Sequence, residues 1–387
     1  MFKSEASGAG LNTGALANLD SSIQKDIDDG RIFGASIIVG REGKIGHRKT
    51  FGTVAPGRKT ADDDIFLLMS LSKSYTAALV LRAIDQGRFT LDTPIAELVP
   101  GFGFGGKQNA TVRMLLTHTG GTYPGLAPPP GLTLPDIGNL EKLVAAMGAM
   151  PAAFTPGTRC HYNSFGGICT LGRALVLTDP KGRSFSRIAK EDLFDPLGMK
   201  DTSFGLPDSN ARRVPISFTE KNSTPNTPAV IHMLTAPFGA GMEVPAGNAF
   251  GTAMDVFRFA DLMRARGGNG SVRFISPALF DYATRNHTGD MMNGAWEFET
   301  AARNLPPLRA NFSLMGGYAR DEGHFQTGLG STASPRAFGA IGGGSTMWMV
   351  DPARDLTFVF LSAGFIEGLS HMQRLSRLSD LALAACD

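Results

Sequence analysis

The sequence predicts an α+β protein in which an antiparallel sheet, flanked by terminal helices, carries an inserted, mostly helical lobe. Three observations lead there. Paired apolar runs around a turn occur near the N-terminus and again near the C-terminus. A helical pattern lies outside each pair. The stretch between them shows helical periodicity broken by Pro/Gly loops, without strong strand pairs.

Taken in order, residues 16 to 30, "LANLDSSIQKDIDDG", place apolar residues at helical spacing and stop at a glycine. In "FGASIIVGREGKIGHRKTFG" two strand-like runs flank a turn at Glu42 and Gly43. Helices are predicted over 138 to 149, 165 to 176, 185 to 193 and 252 to 266, separated by loops such as "PGLAPPPGLTLP". "AFGAIGGGSTMWMVDPARDLTFVFLSAG" then returns to two strands around an Asp-Pro turn, and "IEGLSHMQRLSRLSDLALAAC" closes as a helix. Residues 1–60 and 331–387 are therefore expected to form one α/β lobe and 61–330 a helical one, with the functional site between them.

Composition narrows the function. The chain has 387 residues, 42% of them hydrophobic, enough for a large core. Its 37 basic and 35 acidic residues give a net charge of +2 and no electrostatic reason to expect a nucleic acid or an anionic membrane. No apolar run spans a bilayer, and the N-terminal stretch has no signal-peptide core. Cys160, Cys169 and Cys386 match neither a zinc site nor a disulfide framework, which points to the cytoplasm. The seven histidines are scattered, so neither a metal nor a cofactor is expected. The expected partner is a small molecule; the sequence leaves the oligomeric state open.

Chemistry concentrates in "LLMSLSKSYTAALVLRAIDQGRF". Ser70 and Lys73 are three apart where a helix begins, so their side chains share a face. A serine nucleophile needs a base within hydrogen-bond reach, and lysine can serve where its surroundings are apolar, as with Leu68, Met69, Ala77 and Leu79. A serine at a helix start also offers a free backbone N–H to an oxyanion. Spacing alone means little, because Ser22 and Lys25 share it on an exposed amphipathic helix. Two further elements follow downstream. "FTPGTRCHYNSFGG" holds Tyr162, able to work as an acid/base with a lysine, beside Asn163 and Ser164. "FGAIGGGSTMWMV" leads glycines into a strand, where a ligand can approach the backbone and a strand N–H can complete an oxyanion site.

Together with "TVRMLLTHTGG", "LFDPLGMKDTSF" and "AFGTAMDVFRFADLM", these elements resemble the serine β-lactamase and penicillin-binding-protein-like superfamily, in particular its class C-related family VIII carboxylesterases, and are similar to the fungal statin side-chain acyltransferase. The resemblance implies a β-lactamase-like fold and an acyl-enzyme mechanism. Ser70 would be the nucleophile, Lys73 its base and Tyr162 the proton donor to the leaving group. Ser70, Ala340, Gly342 and Gly343 would hold the oxyanion, with Ser164 and Tyr123 near the substrate. His118 and Thr119 would shape the fold.

Where β-lactamases carry Lys-Thr-Gly or His-Thr-Gly, this strand reads Ala337-Phe338-Gly339 or Ala340-Ile341-Gly342, with Arg336 the nearest cation. Lacking a carboxylate anchor, and with "YNS" in the Y-x-S form, the chain is expected to be a carboxylesterase acting on neutral esters. The alternatives are an acyltransferase, a β-lactamase or D-aminopeptidase, and last a catalytically silent binding protein. Phe238 and Met242 are candidates for an acyl pocket, Trp348 for the core, and Cys160 for a buried small residue.

Overall fold

The computed structural model describes residues 7–125, 127–220, 227–268, 270, 273–321, 327–366 and 368–386. Helix α1 (Thr13–Asp28) leads into strands β1 (Gly34–Arg41), β2 (Lys44–Ala55) and β3 (Arg58–Lys59). Next come β4 (Phe66–Leu67), helices α2 (Ser72–Asp85), α3 (Val112–Leu116) and α4 (Gly166–Leu177), β5 (Ser203–Phe204), α5 (Pro228–Thr235), β6 (Ala249–Gly251) and α6 (Ala253–Arg264). The chain ends with β7 (Tyr318–Ala319), β8 (Phe338–Gly342), β9 (Thr346–Asp351), β10 (Leu356–Ala363) and helix α7 (Gly368–Leu383).

The main sheet has seven antiparallel strands in the order β3-β2-β1-β10-β9-β8-β7. The N-terminal and C-terminal hairpins meet where β1 pairs with β10 over Gly34 to Arg41. Successive side chains of a strand point to opposite faces. Accordingly Ile38, Trp348, Val350, Val359 and Leu361 join one core cluster, with Phe257 and Phe259 of α6. Ile37, Val39, Met347, Phe358 and Phe360 join the other, with Leu19 and Ile23 of α1 and Leu375 and Leu378 of α7. Burial on both faces explains why these strands read as unbroken apolar runs rather than as alternating patterns. Trp348 is core, as its strand position suggested.

The hairpin turns follow their residues. Glu42 and Gly43 both have positive φ, as a two-residue turn between right-twisted strands requires. At the other end Asp351 accepts from Ala353 N at 3.0 Å and from Arg354 Nη1 at 2.7 Å, closing the Asp-Pro turn between β9 and β10.

The inserted segment departs from expectation in two places. It contains a small sheet, ordered β4-β6-β5, of strands only two or three residues long, too short to leave an alternation signal. It also supplies β7, which extends the main sheet at its β8 edge. The helix predicted over 185 to 193 is α-helical over Phe185–Ala189 and widens to a π-turn over Lys190–Phe194. No described helix is long and apolar enough to cross a membrane.

Candidate active site

Ser70 lies in a 3₁₀ turn, Met69–Leu71, that runs directly into α2. The sequence placed it on the helix itself; the tighter turn still stacks residue i over i+3 and keeps Lys73 beneath Ser70. Met69 adopts a left-handed φ of 49°, unusual for a residue with a side chain. Neighbouring contacts hold it there. Leu68 N donates to Ala249 O at 2.8 Å, Ser72 Oγ donates to Met69 O at 2.6 Å, and Ala249 N donates to Ser72 Oγ at 2.9 Å. The small sheet thus anchors the turn that presents Ser70.

Helix α2 is buried along most of its length, and Lys73 is 1% exposed. Its Nζ lies 3.1 Å from Ser70 Oγ, 3.0 Å from Ser164 O and 2.9 Å from Ala246 O. To act as a base the ammonium must give up a proton; the amine would then have two N–H bonds for the two carbonyls and a lone pair for Ser70 Oγ. Tyr162 Oη lies 2.5 Å from the same Oγ. Lys73 and Tyr162 therefore converge on Ser70, with Nζ 5.1 Å from the tyrosine ring centre. Among the described residues they make no hydrogen bond to each other.

Several residues hold Tyr162. His118, just after α3 and at a left-handed φ of 58°, places its ring 4.7 Å from the tyrosine ring and 4.7 Å from Phe312. Its Nδ1 accepts from Asn163 N at 3.3 Å. Burial, then the nearby charge of Lys73, holds its pKa well below the ordinary histidine value, so the ring is neutral. Tyr162 N donates to Asn293 Oδ1 at 3.0 Å. Asn163 turns inward, donating to Thr122 Oγ1 at 2.9 Å and accepting from Gly167 N at 3.0 Å at the start of α4. Thr119 stays structural, its Oγ1 3.0 Å from that of Thr117.

A cavity of about 270 Å³ opens over Ser70, Lys73, Tyr162 and Ser164. Phe165, Ile231, Leu234, Phe238, Trp296 and Phe312 give it apolar walls, and Ile341, Gly342 and Gly343 form its β8 side. Gly342 packs so tightly that a Cβ there would come 2.2 Å from Leu68 O. Ala340, two residues earlier on β8, is buried in the core cluster. Ser164 reaches Lys73 through its carbonyl. Tyr123 stands outside the cavity lining, its hydroxyl donating to Ala127 O at 3.3 Å. Of the acyl-pocket pair, Phe238 lines the cavity while Met242 packs against Gly138. Arg336 is exposed on a different cavity, beside Phe280 and Asp355. Among the described lining residues Lys73 is the one cation, since burial pushes the His371 pKa down to about 3.

Sequence reasoning missed Asn293, the carbonyl of Ala246, the walls at Ile231 and Leu234, and the part His118 plays in holding Tyr162. Ile231 and Leu234, three apart on α5, carried a helical signal. Asn293 and Ala246 come from loops whose approach no local pattern encodes. Cys160 is buried, its thiol pushed up to about 12, as befits an inert residue.

The sequence profile of the family described as Beta-lactamase matches residues 19–380. The chain belongs to that family. Within it, the chain is 26% identical over 388 residues to the esterase EstB of Burkholderia gladioli, covering 92% of each protein. Among solved structures, a penicillin-binding-protein homologue from Caulobacter crescentus superposes with a TM-score of 0.76 at 22% identity, covering 96% of this chain and 97% of that one. EstCE1, described as a hydrolase with promiscuous acyltransferase activity, superposes with a TM-score of 0.75 at 19% identity, covering 95% and 98%. These likenesses establish the β-lactamase-like fold for this member of the family.

Proposed function

We propose that the protein is a serine carboxylesterase that cleaves small neutral esters through an acyl-Ser70 intermediate. The observation that carries this reading is the convergence of Lys73 Nζ and Tyr162 Oη on Ser70 Oγ inside a cavity with apolar walls. The esterase among the relatives supports the substrate class. Lys73 takes the Ser70 proton as Oγ attacks the ester carbonyl. The backbone N–H of Ser70 and one from the Gly342–Gly343 stretch face the oxygen on which charge develops. Tyr162 gives its proton to the departing alkoxide; the tyrosinate then takes a proton from the water that attacks the acyl-enzyme, and Lys73 returns its proton to Ser70 Oγ as that oxygen leaves. Neutral acyl groups suit a cavity in which Lys73, the one cation among the described lining residues, already has three partners.

Acyl transfer shares every step except the identity of the final nucleophile, and the EstCE1-like fold keeps it as the second reading. The buried free thiols of Cys160 and Cys169 support a reducing, cytoplasmic setting. Turnover of p-nitrophenyl butyrate by wild type, Ser70→Ala and Ser22→Ala tests the reading. Loss in the Ser70 variant alone is expected; an unchanged Ser70 variant refutes the mechanism. Adding methanol and measuring methyl butyrate separates transfer from hydrolysis.

A further inference from the structure

Helix α7 sets two nitrogen-bearing side chains, one turn apart, behind the turn joining β8 to β9. His371 lines the Ser70 cavity, and Arg374 donates through Nη2 to Ser345 Oγ. Both are buried. Among the described residues Nε and Nη1 of Arg374 have no hydrogen-bond partner, and His371 faces the backbone of Gly342. Among the described residues Arg374 forms no ion pair.

The groups around Arg374 do not neutralise it. From β10 the Phe360 ring lies 5.8 Å away, from its own helix come neutral His371 and cationic Arg377, and from the turn comes the hydroxyl of Ser345. On and after α1, Arg31 adds a further positive charge and Asp26 a negative one. That carboxylate is already 2.6 Å from Arg377 and 4.0 Å from Arg31. Burial lowers the guanidinium only to about 10, which leaves it charged at neutral pH. A buried cation without its own carboxylate is a poor stabilising device. It is an effective electrostatic one in a medium that screens weakly.

The turn in front of it connects to the nucleophile. Ser345 holds a left-handed φ of 70°, and its carbonyl accepts from Ser362 Oγ at 3.2 Å. Thr346 Oγ1 donates at 3.0 Å to Leu68 O, two residues before Ser70, and Gly342 packs on the same carbonyl. Contacts thus run from Arg374 through Ser345 and Thr346 to Leu68.

We propose that Arg374 is a positioning residue for the Ser70 site: it clamps the Gly342–Ser345 turn through Ser345, and its unneutralised charge favours the negative charge that builds on the acyl oxygen. This rests on the esterase reading. A clamp on the oxyanion side acts in the transition state more than on the bound ester, so kcat should carry the effect.

The test compares Arg374→Met, Arg374→Lys and Ser345→Gly with wild type in p-nitrophenyl butyrate kinetics, melting temperature and inhibition by an alkylboronic acid, which forms a tetrahedral adduct at the serine. Arg374→Met should lower kcat about tenfold or more, hold KM within about twofold, and weaken boronate inhibition in parallel with kcat. Arg374→Lys should recover part of the loss. Ser345→Gly suits the left-handed backbone, so it should keep or raise the melting temperature and still lower kcat severalfold. If Arg374→Met does not fold, Ser345→Gly decides the matter alone. Wild-type kcat in Ser345→Gly or in folded Arg374→Met overturns the role, as does a loss confined to KM. An active wild type with unaffected variants refutes Arg374 alone, whereas a wild type inert to both ester and fluorophosphonate overturns the esterase reading and the role together.

Discussion

Tyr162 is the residue whose placement depends most on others. Its hydroxyl is 2.5 Å from Ser70 Oγ, yet its ring is held by His118 and Phe312 and its backbone by Asn293. Replacing Tyr162 by Phe should leave the fold intact and lower kcat for p-nitrophenyl butyrate by about 10²–10⁴-fold, the usual range for a lost proton-transfer group. The loss should shrink for esters of more acidic alcohols, whose departure needs less protonation. An equal loss across leaving groups would show that Tyr162 only orients Ser70. Ser70, Lys73 and Tyr162 were legible because their residue types and motif order are local information. Asn293 was not, because an asparagine 131 positions away becomes a partner only through the fold.

At the scale of elements, the site forms where a 3₁₀ turn meets the end of a strand. Because side chains alternate across a strand, β8 turns Ile341 to one face and Ala340 and Gly342 to the other, where Ala340 joins the core and Gly342 abuts Leu68 O. Which of these residues faces the site was not readable from the glycine run, since a shift of one position exchanges the two faces. Gly342 admits no side chain beside Leu68 O. Gly342→Ala should therefore push β8 away from the Ser70 turn, slowing both ester turnover and fluorophosphonate labelling by about tenfold or more while Lys73 and Tyr162 remain in place. Labelling at the wild-type rate would show that this contact does not set the geometry. The helices were legible because 3.6-residue periodicity survives in their apolar faces. The small sheet was not, because two or three residues cannot display a period.

The whole molecule joins its termini in one sheet and buries two neutral histidines beside the site. His118 is held well below its ordinary pKa by burial and by the charge of Lys73. Burial and Arg374 hold His371 down to about 3. Below about pH 6.5 the unfolded chain takes up protons at these histidines that the folded chain refuses, so stability falls as pH is lowered. Each contributes up to about 1.4 kcal/mol per pH unit, and for His371 the loss continues until the folded ring titrates. Urea unfolding between pH 7 and 5 should show this decline, and His371→Gln should flatten it; an unchanged slope in that variant would remove His371 as a cause. The sequence by itself determined the α+β class, the terminal hairpins and the family, and singled out Ser70, Lys73 and Tyr162 as candidates, because periodicity, turn chemistry and motif order are written along the chain. Only the tertiary structure decided that Lys73 and Tyr162 meet at Ser70 Oγ rather than at each other, that α5 walls the cavity, that Arg336 lies elsewhere and that Arg374 stands unneutralised behind the turn. Those are distances between segments far apart in the chain, and they exist only once the core has closed around them.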